Sequence, residues 1–183
     1  MTPHFAIKLN ALALYSIAAI LLGAFYFQIA LDELPCPLCL LQRVGFVALA
    51  IGPVLTLRFG PRPWHYGLVL IAALVGAIIA GRQVLLHIMP GDPGYGSMIL
   101  GYHFYTWAFV CFVAALAASA VMLLFDDQFY PTAALPVPGA FEKGAVFLVL
   151  GVTLLNAASA FLECGFGFCP ADPVVYELLQ APQ

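Results

Sequence analysis

The chain has 183 residues, of which 64% are hydrophobic and 8% charged, and its net charge is −3. So few charges cannot cover that much apolar side chain in water, where about 25% charged residues is usual, and so small a net charge offers nothing to nucleic acid. The bilayer is the solvent that resolves the imbalance.

A spanning helix needs roughly 20 mostly apolar residues. Five segments qualify, near residues 11–30, 37–57, 66–88, 103–125 and 144–162. The first follows Lys8 and is too long for the core of a cleaved signal, so it reads as a retained membrane helix. Proline and glycine mark the links: Pro35 and Pro37, then 60–63, then 90–94, and a longer link with Pro131, Pro136 and Pro138. No soluble domain or repeat stands out, so residues 1–183 read as one all-α membrane domain. Its architecture is a bundle of five spanning helices followed by a tail from 163 onward.

Orientation follows from lysine and arginine in short loops. Lys8 precedes the first helix, Arg58 and Arg62 lie between the second and third, and Lys143 lies between the fourth and fifth. The opposite side carries Asp32, Glu33, Asp92, Asp172 and Glu177 without a basic residue. This puts the N-terminus in the cytoplasm and the C-terminus outside. Four of the five cysteines fall in two pairs, Cys36/Cys39 and Cys164/Cys169, and both pairs come out on the non-cytoplasmic face.

The first pair opens the second helix, in the run Cys36-Pro37-Leu38-Cys39-Leu40-Leu41-Gln42-Arg43. Pro37 suits the first helical position, so Cys36 takes the cap. Free N–H groups and the helix dipole stabilise a thiolate there. Three-residue spacing allows a disulfide, and Arg43 lies one turn past Cys39 on the same face. A guanidinium this far into a spanning helix needs work or a partner. It either stabilises the Cys39 thiolate, holds a ligand oxygen, or snorkels to the headgroups.

The second pair ends the fifth helix, in Glu163-Cys164-Gly165-Phe166-Gly167-Phe168-Cys169. It reads either as a redox relay or as a staple for the tail. Cys111 reads as a small packing residue too deep to meet the pairs. Arg82, Gln83 and His87 end the third helix, and Arg82 needs a partner. His87 is either interfacial or a donor to a ligand oxygen. Asn156, Ser159 and Glu163 form one polar stripe for helix packing or a cavity. Tyr102, His103, Phe104, Tyr105 and Trp107 form an aromatic belt, or a wall for a flat ring.

At Cys36–Arg43 the chain resembles the DsbB family, disulfide bond formation protein B. The resemblance spans the first four helices. It implies a bacterial inner-membrane protein-dithiol:quinone oxidoreductase that reoxidises a periplasmic thioredoxin-fold oxidase of the DsbA type. Its electrons would go to ubiquinone or menaquinone, with no metal. Cys39 would face the quinone, Arg43 would stabilise the Cys39–quinone pair, and Cys36 would exchange with a second disulfide; the candidate His87 contact to a quinone oxygen rests on its place at the end of the third helix alone. The family's usual second pair lies between the third and fourth helices. Residues 90–101 here hold no cysteine, and the chain adds a fifth helix. Cys164 and Cys169 are therefore expected to replace the missing pair. The rival readings are a membrane scaffold with structural disulfides and a structural zinc site made by the four paired cysteines.

Overall fold

The computed structural model describes residues 1–130 and 138–179, and Pro131 and Pro136 of the longest link lie outside them. Among the described residues five helices are long and apolar enough to cross a membrane: α1 Pro3–Ala30, α2 Pro37–Phe59, α3 Pro63–Leu86, α4 Phe104–Leu123 and α5 Ala140–Cys164. The chain is an all-α membrane protein, as its composition requires.

Helix ends follow local chemistry. Thr2 Oγ1 accepts the Phe5 N–H at 3.3 Å and Pro3 takes the first turn, so α1 begins eight residues before the apolar run. Its 28 residues make about 42 Å, longer than the roughly 30 Å hydrocarbon core. Lys8 thus lies within α1 and not ahead of it, and Nζ meets Glu142 of α5 at 2.7 Å. Glu142 also accepts the Gly139 N–H at 2.8 Å, which starts α5 ahead of Lys143. The apolar run alone placed both basic residues in loops.

Between α3 and α4, β1 Met98–Ile99 pairs antiparallel with β2 Tyr102–His103. Leu100 and Gly101 between them both have positive φ, 52° and 82°, as a tight two-residue hairpin requires. This small ribbon is absent from the purely helical expectation. Among the described residues the tail carries a single 3-10 turn, Glu177–Leu179.

The helices neighbour one another in the order α4, α3, α2, α1, α5, and α5 also touches α2. In lipid, apolar burial drives association weakly, so close packing of small residues matters more. Gly45 of α2 and Gly76 of α3 both lie against the Phe112 ring of α4, which stacks on Phe46 with centroids 4.3 Å apart. At the far end from the cysteines, Asn10 donates to Tyr66 Oη at 3.0 Å and Tyr66 donates to Gln128 at 2.9 Å. Large apolar side chains such as Ile71, Ile78 and Leu154 cover the outside.

Candidate functional site

Both cysteine pairs are closed as disulfides, with Cα–Cα distances of 4.9 Å for Cys36–Cys39 and 4.5 Å for Cys164–Cys169. The antiparallel run of helices puts both at one end of the bundle.

Cys36 caps α2 in extended backbone, and its sulfur accepts the Cys39 N–H at 3.1 Å. Gln83 of α3 adds a second donor, with Nε2 3.3 Å from Cys36 Sγ and 3.6 Å from Cys39 Sγ. Gln42 holds Gln83 in turn, donating to its Oε1 at 2.7 Å. Electron density arriving on either sulfur therefore meets N–H dipoles already aimed at it.

Arg43 is buried one turn deeper. It donates to Gln28 Oε1 at 2.7 Å and to the Ala24 carbonyl at 3.2 Å, and it lies 5.5 Å from the Phe25 ring centroid. Gln28 donates onward to Ser159 of α5 at 2.7 Å and to Tyr176 of the tail at 2.9 Å. The buried arginine is thus satisfied by α1 and tied through it to α5 and the tail, rather than snorkelling.

Cys39 and Arg43 both line one cavity of about 240 Å³. Phe27 of α1, Phe46 of α2, and Phe104, Tyr105 and Trp107 of α4 supply aromatic walls, and Tyr95 reaches in from the loop. Trp107 is fixed by its Nε1 donating to Ile99 O at 3.0 Å. Cys111 also lines this cavity, so it is nearer to Cys39's surroundings than its depth along α4 suggests. An apolar, ring-walled space with one cationic fork at its side fits a flat aromatic ligand bearing a carbonyl oxygen.

The loop before α4 closes over the loop before α2. Ser97 bonds Glu33 through its N–H at 3.1 Å and also through its hydroxyl, and Tyr95 donates to Leu34 O at 2.6 Å. Burial, then the nearby carboxylates of Asp172, Glu163 and Glu33, push the Tyr95 phenol up to about 12.

His87 takes no part in the cavity lining. It ends α3, bonds Asp92 Oδ1 through Nδ1 at 3.0 Å and stacks on Tyr105 at 5.5 Å. Arg82 is exposed and has no ion-pair or hydrogen-bond partner among the described residues. Asn156 of the polar stripe donates back to Val152 O at 2.9 Å, and Glu163 is fully buried. The Cys164–Cys169 loop is exposed at Phe166 and Phe168, and among the described residues it does not join Cys36–Cys39 in one metal-sized cluster. Among the described residues no group of three or more His, Cys, Asp and Glu fits a metal ion.

Sequence reasoning singled out neither Gln28 nor the role of Gln42. Both are amides within or at the end of apolar helices, and that cost is itself the signal.

Residues 8–97 match the family described as Disulfide bond formation protein DsbB. The chain is 43% identical over 79 residues to "Disulfide bond formation protein B" of Marinobacter nauticus, covering 41% of this chain and 47% of that one. It is 44% identical over 80 residues to the protein of that name from Xanthomonas axonopodis pv. citri, covering 41% and 46%. To that of Nitrosomonas eutropha it is 39% identical over 67 residues, covering 34% and 41%. The chain spans about half the length of these curated relatives. No solved structure matches it.

Proposed function

We propose that the chain, whose residues 8–97 match the family described as Disulfide bond formation protein DsbB, is a disulfide-generating protein-dithiol:quinone oxidoreductase of the bacterial inner membrane. It reoxidises a periplasmic thioredoxin-fold partner of the DsbA type and delivers the electrons to ubiquinone or menaquinone. The α2–α3 corner, with Arg58 in the last turn of α2 and Arg62 capping α3, is cytoplasmic with the N-terminus, and the disulfide end with the C-terminus is periplasmic. The single observation that carries this reading is that Cys39 and Arg43 open on the same aromatic-walled cavity.

A bound quinone supplies an acceptor for two electrons and two protons. The chain's own residues do the rest. The α2 N-terminus and the Gln83 amide stabilise Cys39 as a thiolate once the pair is reduced. Arg43 orients the quinone carbonyl and favours negative charge there. The aromatic walls hold the ring and exclude water.

Cys164–Cys169 is the entry disulfide. A partner thiolate attacks it, and the reduced pair then reduces Cys36–Cys39 by exchange. Gly165, at φ 62°, and Gly167 let this loop open and swing across the gap between the pairs. The bond from Gln28 to Tyr176 favours a second reading for this pair alone, a staple that fastens the tail.

The test is quinone reduction by the purified protein with a reduced DsbA-type partner, in wild type, Cys39→Ser and Cys164→Ser. Loss in both variants supports the full relay. Loss only in Cys39→Ser keeps the oxidase and makes the C-terminal pair a staple. No turnover in wild type with either quinone overturns the oxidase and favours a scaffold or zinc role.

A further inference from the structure

Glu163 is the buried acid that the scheme above leaves unused. It is fully buried in the last turn of α5, and neither carboxylate oxygen has a hydrogen-bond partner among the described residues. A carboxyl group out of water with both oxygens idle is costly unless it has a task. Two placements suggest the task. Glu163 immediately precedes Cys164, and its charge attracts Arg43, which sits one turn below Cys39. It is thus next in the chain to one disulfide and within electrostatic reach of the arginine beneath the other.

The chemistry of that route needs a proton acceptor. Thiol–disulfide exchange requires a thiolate, and a thiol with an ordinary pKa of about 8.5 is mostly protonated at neutral pH. Cys164 is held at the helix end while Cys169, five residues on, rides the glycine-containing loop. The mobile sulfur is therefore the one that reaches Cys36, and the fixed one resolves the adduct.

We propose that Glu163 is the proton-exchanging group of this resolution step. The reading rests on the relay described above. Once Cys169 has formed a mixed disulfide with Cys36, the Cys164 thiol gives its proton to the Glu163 carboxylate. The Cys164 sulfur attacks Cys169, forming Cys164–Cys169 and breaking Cys169–Cys36. The electron pair leaves on Cys36, which takes the proton back from Glu163. The exchange is neutral in protons and moves two electrons from the C-terminal pair to Cys36–Cys39.

Other titratable groups share this environment: Arg43 from α2, Tyr95 and Glu33 from the two outer loops, and Tyr176 and Asp172 from the tail. Arg43 is committed to Gln28 and Ala24, Glu33 to Ser97, and Tyr95 to Leu34. Among the described residues Glu163 is the one acid with both oxygens buried and without a hydrogen-bond partner.

The test uses the full chain in detergent without quinone. One equivalent of a small dithiol reduces the exposed pair, and acid quench, alkylation and mass spectrometry follow transfer to Cys36–Cys39 between pH 6 and 9. Wild type is expected to hold its rate wherever Glu163 is ionised and to fall only at the acid end, where the buried carboxyl takes up its own proton. Glu163→Gln is expected to slow about tenfold per unit below about pH 8.5, a fall of roughly 300-fold by pH 6, within the scale of a lost general base. It should also accumulate the Cys36–Cys169 cross-link. A variant with the wild-type pH profile, even if uniformly slower, shows a merely structural role and overturns the proposal. Should the variant not fold, wild type alone decides: a tenfold fall per pH unit that already begins at about pH 8.5, with no plateau below it, means that no buried base assists. If wild type passes no electrons between the pairs at any pH, the relay itself fails and takes this step with it.

Discussion

Arg43 and Gln28 form a 2.7 Å hydrogen bond that joins the cavity to the C-terminal tail. The Gln28 oxygen serves the guanidinium and its nitrogen serves Ser159 and Tyr176, so one amide spans α2, α1, α5 and the tail.

Replacing Gln28 with leucine should be expensive out of proportion to its size. Arg43 would keep its burial and lose its best acceptor, a loss worth about 1–3 kcal/mol or more for a charged group. Thermal unfolding in detergent is expected to shift downward, and the KM for quinone to rise as the fork loses its orientation. An unchanged KM would mean that Arg43 does not depend on Gln28 for its pose.

Cys111 lines the cavity from α4. Cys111→Phe should push a ring into this cavity and take up part of its volume. The KM for quinone is expected to rise about tenfold, the scale of 1.4 kcal/mol of lost binding. Dithiol transfer between the pairs, measured without quinone, should stay at the wild-type rate. Equal loss in both assays would place the quinone elsewhere.

Gly76 and Gly67 make a matched pair on α3. A side chain at Gly76 would overlap the Phe112 ring, whereas one at Gly67 meets nothing within 4 Å. Gly76→Val is expected to cost about 1–3 kcal/mol by overpacking, and Gly67→Val to be near neutral. Chemical unfolding of the two variants in the same detergent checks the difference.

The loop before α4 should loosen in acid. The Gly94 N–H, then the hydrogen bond from His87, hold the Asp92 carboxyl below its ordinary range. A depressed acid contributes order that is complete above its unfolded pKa, about 3.9, and fades as pH falls through the lower folded value. Hydrogen exchange at Gly94 is expected to quicken below about pH 4 in wild type. In Asp92→Asn it should show no such step.

Much of this was legible from residue order. Five apolar runs gave five helices because a bilayer leaves no other way to satisfy the backbone. Pro37 and the spacing to Arg43 placed the first disulfide at a helix cap with an arginine beneath it, since both depend only on local geometry. Gln83 reaching the sulfurs from α3 was not legible, because it depends on which faces of α2 and α3 meet. Nor was His87 turning to Asp92: its position near a helix end suited a ligand contact as well as a loop tie. The starts of α1 and α5 were misjudged for a different reason. Their first turns are held by Thr2 and by Glu142 with Lys8, and hydropathy does not register a cap.

The fifth helix packs on α1 and α2, while the cavity lies between α1 and α4. The added element therefore occupies the side of the bundle away from the gap, and α1 and α4 share no substantial interface among the described residues. A lipid-soluble molecule diffusing in the plane of the bilayer would find that flank unobstructed. The extra span lengthens the chain without standing in the doorway.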